Sequence, residues 1–370
     1  MAILSPLAAL IVALLMMPVA RLIAERTGAI AHPRADRLAQ LPIPALGGLA
    51  IAAGIAVGIV LAPLAPIDRI ALLAGLAAMV GLGLADDLGS VSPLVRLLLE
   101  AVTGAAFALA VTMAFDVPIR LAAVAVATVA VPVAINATNL VDNADGLAAS
   151  LSLATALSMA LLSIVSGNPE IGTLALVIGA ACVAFLAFNL PPARVFMGDT
   201  GSLMLGFVLA ATSILLTRDA IVAPGDTHIA VAMVVPLTFA LQIGDLAMVF
   251  VTRVRRGHSP FNGGVDHTSH RLIAAGLGPG RMLLLLGALA AGLGGTLVAI
   301  AAFLGDFRLV AAIGLLLLAA VAAFEIAVAW RLPPADGQGA TVLTAQASEA
   351  KAMEEHTPGA APELVVRAPE

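Results

Sequence analysis

Reactive and charged side chains are scarce in this chain. Cys182 is the only cysteine among 370 residues and lies inside an apolar run, so a single chain can form neither a disulfide nor a thiolate metal cluster. Lys351 is the only lysine, which excludes the Gly-Lys-Ser/Thr signature of a Walker phosphate loop; the rest of the 18 cationic residues are arginine. Charged residues make up only 11% of the sequence, against roughly 25% in soluble domains. So few charges cannot coat a water-facing globule of this size.

What fills the sequence instead is apolar. Hydrophobic residues reach 61% and the mean hydropathy is +1.09. Runs long enough to cross a hydrocarbon core, about 20 helical residues each, recur as far as Trp330. Divided at polar breaks they predict an all-α polytopic membrane protein with eleven spans, at 3–20, 46–66, 69–85, 97–115, 119–137, 147–166, 171–188, 202–217, 229–251, 282–304 and 308–330. The segment Ile3 to Ala20 has no basic residue before it and Arg21, Glu25 and Arg26 after it, the pattern of an uncleaved first span rather than a signal peptide. From Pro333 the chain turns rich in Ala, Glu, Pro and Gly without apolar periodicity. We therefore expect a membrane domain over 1–332 and a disordered tail over 333–370.

Charge distribution orients these spans. Arginine and lysine number fourteen on the side holding the loops after odd-numbered spans and the C-terminus, and four on the other. The positive-inside rule then puts the C-terminus in the cytoplasm, the N-terminus outside, and the protein in the inner (plasma) membrane. The polar residues collect on that cytoplasmic side in five segments: Ala31 to Gly48, Ala85 to Glu100, Asn136 to Leu147, Asn189 to Ser202 and Arg253 to Leu272.

Each segment suggests phosphate or metal chemistry. Asp86 and Asp87 close the third span, and adjacent carboxylates repel unless a cation or helix end compensates; they either face a metal or mark a solvated loop. Asn136-Ala-Thr-Asn-Leu-Val-Asp-Asn-Ala-Asp-Gly-Leu147 is dense in hard oxygen donors, as magnesium prefers, although Asn, Asp and Gly also stop helices. In Phe196-Met-Gly-Asp-Thr-Gly-Ser202 the glycines flanking Asp199 let backbone N–H groups approach a phosphate just before a predicted helix start at Ser202. Phe196 either stacks on a nucleobase or anchors at the interface. Arg253, Arg255 and Arg256, followed by His267, His270 and Arg271, can cradle a pyrophosphate or lipid phosphate, or simply set orientation. Zinc is disfavoured there, with no cysteine and no His-Glu-x-x-His pattern.

In motif order, from Pro42-Ile-Pro-Ala-Leu-Gly-Gly48 through Asp86-Asp87, Asn136 to Leu147 and Phe196 to Ser202 to the histidine loop, the chain resembles the polyprenyl-phosphate N-acetylhexosamine-1-phosphate transferases over about Ala31 to Leu272. The resemblance implies Mg2+-dependent transfer of a sugar 1-phosphate from a UDP-sugar to polyprenyl phosphate, with release of UMP. It implies Asn139 and Asp199 as metal ligands and Asp86, Asp87 and Asp142 as catalytic carboxylates. It implies Asp145, Asn189, Phe196, Gly198, Arg256, His267, His270 and Arg271 as substrate contacts. Asp142-Asn-Ala-Asp-Gly146 stands where the family often has Asp-Gly-x-Asp-Gly, and His267-Thr-Ser-His270 where it often has His-x-His-His; Arg37 and Ala39 replace a family lysine and histidine. These departures favour the branch that uses simple UDP-N-acetylhexosamines. Membrane lipids are expected partners, a homodimer is compatible with the reading, and nucleic acid is not expected.

A secondary transporter is the rival class. Asp245 and Glu100 lie inside apolar runs, and Pro132 and Pro236 are candidate helix breaks. Against it, Arg96 sits four residues before Glu100 as an ion-pair partner, and Asp245 lies within about 12 Å of Arg253 along a helix, close enough to reach the cytoplasmic segments.

Overall fold

The computed structural model describes residues 3–31, 42–89, 91–222, 225–259, 264–304 and 306–332. Arg34, Arg37, Ala39, Pro260, Phe261 and the segment from Pro333 onward lie outside the described residues. The helices are α1 (Leu4–Thr27), α2 (Gly47–Leu61), α3 (Pro66–Leu88), α4 (Pro93–Val111), α5 (Val117–Leu140), α6 (Leu147–Val165), α7 (Pro169–Asn189), α8 (Gly198–Val222), α9 (Asp226–Val234), α10 (Ala240–Arg255), α11 (Thr268–Ala274), α12 (Pro279–Phe303) and α13 (Phe307–Arg331). Ten helical stretches among the described residues are long and apolar enough to cross a membrane, and α2 is a shorter apolar helix. The protein is a multi-pass, all-α membrane protein.

Proline and small polar residues set the helix starts. Pro66, Pro93, Pro169 and Pro279 occupy first-turn positions, where the missing N–H costs nothing. Ser92 and Asn168 accept from the N–H groups of Val95 and Ile171 as N-caps. Of the two candidate breaks, Pro236 does interrupt a span: Val235–Phe239 is a 3-10 turn joining α9 to α10 within the single crossing His228–Arg255. Pro132 stays inside α5.

Burial ranks the helices. In α8, 89% of the most apolar window is buried, against 17% in α13, so α8 is the central post and α13 lies at the rim. Packed on α8 are α3 and α5, with α2, α6, α7 and α9 completing the surround. The rim exposes large apolar side chains such as Leu284, Leu315, Leu316, Val126 and Val129, as suits a lipid-facing wall. A two-stranded antiparallel ribbon, β1 (Ile30–Ala31) with β2 (Ile43–Pro44), precedes α2.

Because the helices run alternately up and down, the end of α3, the start of α4, the end of α5, the start of α8 and the end of α10 meet at one face. Four of the five polar segments converge there, as does the described part of the first. At the opposite end, Arg218 bonds bidentately to Asp68 (2.7 and 3.0 Å) and pairs with Asp219, which accepts from Asn168.

Candidate active site

The site is built around the start of α8. This helix begins at Gly198, four residues before the Ser202 expected from hydropathy, so Asp199 belongs to its first turn rather than to a preceding loop. Phe196 N–H donates to Pro44 O (2.8 Å), and Gly47 and Gly48 N–H donate to Phe196 and Met197 O (2.9 and 3.0 Å), binding the Pro42 to Gly48 motif to the Phe196 motif. That approach requires glycine: a Cβ on Gly48 would lie 2.3 Å from Gly201 N. Gly198 has φ +67°, and a Cβ there would meet Ala45 O at 2.5 Å and an Asp87 oxygen at 2.7 Å.

The two adjacent aspartates do different things. Asp87 accepts from Asp199 N (2.8 Å), Thr200 N (2.9 Å) and the Thr200 hydroxyl (2.6 Å), so both its oxygens hold the first turn of α8. Asp86 accepts from Val91 N (2.9 Å) and faces Arg96 (3.3 Å). Arg96 is the hub. Its guanidinium reaches Asp86, Glu100 (3.2 Å), Asn136 Oδ1 (3.1 Å), Asn139 Oδ1 (2.7 Å) and Asp199 (3.8 Å). Asn139 turns its amide nitrogen to Asp199 Oδ1 (2.7 Å) and Ser202 Oγ (2.8 Å), while Glu100 also accepts from Asn136 Nδ2 (2.5 Å).

Three carboxylates and two amide oxygens thus gather on one cation. Among the described residues no three His, Cys, Asp or Glu side chains form a metal cluster. Magnesium asks less of the protein, taking one or two carboxylates beside water and substrate phosphates, and Asp199, Asp86 and Asn139 offer that hard-oxygen chemistry.

Facing this wall across a cavity of about 720 Å³ is a second one. Arg253 and His267 line it, along with Asp142 and Asn143. Arg253 forms a bidentate pair with Asp266 (2.8 and 2.6 Å). Burial alone would raise the Asp266 carboxyl, but the hydrogen bonds and charge of Arg253 outweigh it and hold the group below the usual carboxylate range. His267 Nδ1 lies 2.8 Å from Asp245 Oδ2, and Ser269 Oγ donates to Asn143 (2.6 Å), tying the histidine loop to the Asn136 segment. Most of the remaining lining is apolar, with Leu97, Leu98, Val129, Val133, Leu246 and Phe250 along α4, α5 and α10.

The other expected contacts lie around this cavity rather than on its lining. Asp145 accepts from Ala193 N (2.9 Å), and burial pushes its carboxyl up against that hydrogen bond. Asn189 bridges Gly146 N–H and Val195 O (2.9 and 2.8 Å). Arg271 is fully buried, donating to Asp266 O and to Ala329 and Leu332 O at the C-terminal end of the final helix. His270 is buried behind His267, the rings 5.6 Å apart. Phe196 is half-buried and Arg256 is exposed. Glu325, absent from the sequence expectations, accepts from the Thr268 hydroxyl; a lone acid in the last apolar run was the only signal for it. Glu100 and Asp245, the acids that admitted a transporter, both turn toward this one face.

A buried ionic face opening into a cavity flanked by apolar helices is the arrangement of a polytopic membrane protein with a polar site at one end of its bundle. The glycosyl transferase family 4 profile matches residues 69–217. The chain is 31% identical over 307 residues to the decaprenyl-phosphate N-acetylglucosaminephosphotransferase of Mycobacterium tuberculosis strain H37Rv, covering 72% of this chain and 74% of that one. To the probable undecaprenyl-phosphate N-acetylglucosaminyl 1-phosphate transferase of Bacillus subtilis strain 168 it is 29% identical over 281 residues, covering 72% and 76%. A stretch of 89 residues is 46% identical to the phospho-N-acetylmuramoyl-pentapeptide-transferase of Moorella thermoacetica, covering 24% and 28%. The chain belongs to glycosyl transferase family 4.

Proposed function

We propose that this protein transfers N-acetylhexosamine 1-phosphate, with N-acetylglucosamine the first candidate sugar, from a UDP-sugar to polyprenyl phosphate. UMP is released, and the product starts a cell-envelope glycan. The observation that carries this reading is the amphiphilic cavity: apolar helix flanks at one end, and Arg96, Asn139, Asp199, Arg253 and His267 at the other. An isoprenoid tail fits the first and phosphates the second.

The reaction needs no strong base. A phosphate monoester, with a second pKa of about 6, is already largely dianionic at neutral pH. Its oxygen attacks the sugar-bearing phosphorus of the UDP-sugar, an O–P bond forms, the pyrophosphate bond breaks, and UMP carries away the electron pair. The obstacle is repulsion between anions. Arg96 and Arg253 offset it from opposite walls of the cavity. Asp199, Asp86 and Asn139 would hold Mg2+, which supplies further neutralisation of phosphate charge when bound. Asp87 keeps Asp199 in register through the turn it holds, and Asp142 on the cavity wall orients the nucleotide sugar. The 14 to 4 arginine and lysine asymmetry supports a cytoplasmic placement of this face, with the N-terminus outside and the protein in the inner membrane.

The test is purified protein with radiolabelled UDP-sugars and undecaprenyl phosphate. Mg2+-dependent formation of labelled lipid with equimolar UMP is expected; no lipid product from any UDP-N-acetylhexosamine would refute the reading.

A further inference from the structure

An imidazole offers a substrate whichever ring nitrogen its protein neighbours leave over, and the partner of the other nitrogen decides which proton state that is. His267 Nδ1 lies 2.8 Å from Asp245 Oδ2. An ionised carboxylate only accepts, so Nδ1 carries the proton of this contact. The carboxylate is itself fixed, because its other oxygen accepts Thr268 N–H at 2.8 Å. Asp245 is 5% exposed and absent from the cavity lining, whereas His267 is on it. Among the described residues His267 Nε2 makes no hydrogen bond and is not a buried orphan, so it is the ring nitrogen left for the cavity.

The surroundings hold this pair in place. Thr268 donates its hydroxyl to Glu325 of α13, Asp266, the residue before His267, is ion-paired with Arg253 at 2.6 Å, and the His270 ring lies beside that of His267, tilted by 52°. Asp245 comes from α10 and His267 from the loop after it, so the pairing depends on tertiary structure and not on local sequence.

We propose that Asp245 is a positioning residue: it fixes the tautomer and ring plane of His267 so that Nε2 meets a phosphate oxygen of the nucleotide sugar. Asp245 touches no substrate and acts only through His267. The inference rests on the transferase reading for the identity of the ligand, but the Asp245–His267 pairing can be read without any turnover.

Two measurements test it. The first is a double-mutant comparison of kcat/KM for UDP-sugar. Asp245→Asn is expected to lower it by about 10–100-fold in the wild-type background and by less than about 2-fold in the His267→Ala background. Asp245→Glu, which keeps the acceptor charge, is expected to recover part of the loss. A merely structural role for Asp245 would give the same loss in both backgrounds, and that result overturns the proposal. The second is 15N NMR of histidine-labelled protein in detergent. The wild type is expected to show an Nδ1–H signal that His267→Ala removes and Asp245→Asn displaces; persistence of the signal in Asp245→Asn, or in Asp245→Ala if the amide variant does not fold, overturns the proposal. If wild type forms no lipid product from any UDP-sugar, the transferase reading falls, and the NMR outcome alone decides for or against the positioning role.

Discussion

Replacing Arg96 by methionine keeps the length of the side chain and deletes the guanidinium that holds the site together. Five groups lose a partner: Asp86, Glu100, Asn136, Asn139 and Asp199, at distances from 2.7 to 3.8 Å. The Glu100 side chain has no solvent exposure and Arg96 only 16%, so water screens little of the loss. Breaking a buried ion pair by removing one member costs about 3–5 kcal/mol, because the other charge stays buried and uncompensated. We expect Arg96→Met to fall in that range. Adding Glu100→Gln should return about 1–3 kcal/mol, since a neutral amide costs less to leave unpaired and still bonds to Asn136. Unfolding in mixed micelles of increasing denaturing detergent, followed by circular dichroism, measures each midpoint. An Arg96→Met loss below about 1 kcal/mol, or strict additivity with Glu100→Gln, would show that Arg96 is not the hub.

Asp199→Asn keeps size and loses one carboxylate oxygen from the proposed metal set, so transfer should be nearly abolished with folding retained; near-normal turnover at saturating Mg2+ removes Asp199 from that role. A tag before Met1 should be reached by protease in spheroplasts and one after Glu370 protected, and the reverse pattern would contradict the charge-based orientation. Asp266 has a folded pKa below its unfolded value, so its contribution to stability is present above about pH 4 and is lost as pH falls through the lowered value. The destabilisation by Asp266→Asn should therefore be larger at about pH 7 than at about pH 3, and equal penalties would refute the pairing. Alanine at His267 and at His270 should each impair use of UDP-sugar and combine non-additively because the rings touch, whereas unaltered kinetics in both would leave the loop a topological feature.

Much of this architecture was legible because a membrane simplifies the code. Each crossing must be an apolar helix about 20 residues long, and polar residues that interrupt the pattern stand out. That is why ten of the eleven expected spans and the gathering of Asp86, Asn139, Asp199 and His267 could be read from the chain, and why the motif order pointed to the family; the expected span at 46–66 is instead the shorter apolar helix α2, Gly47–Leu61. Boundaries were less legible. Hydropathy started the eighth span at Ser202, whereas the helix begins at Gly198: glycine and aspartate look like loop in a propensity sense, yet the first turn of α8 is held by Asp87 from another helix. The division of labour between Asp86 and Asp87 was illegible for the same reason. Arg96 could be paired with Glu100 by its i to i+4 spacing, but its bonds to Asn136 and Asn139 cross more than 35 residues of sequence.

The opposite end of α8 explains how Asp199 is kept at a fixed depth. Arg218 lies nineteen residues after Asp199 on the same helix, a rise of about 29 Å, close to the hydrocarbon thickness of about 30 Å. Both ends of this most buried helix therefore carry charge, and each end is locked to other helices: Arg218 to Asp68 of α3, and the first turn around Asp199 to Asp87, also of α3. The two ionic clusters differ in one respect. Around Arg218 the carboxylates of Asp68 and Asp219 are met by the guanidinium and by Asn168, leaving a closed staple. Around Asp199 the acidic and amide oxygens share a single arginine and open on a cavity. A helix pinned at both membrane surfaces by the same neighbour cannot slide or rotate without breaking one cluster. The unsaturated cluster is thus held at the depth where a lipid phosphate, with its tail in the bilayer, would arrive.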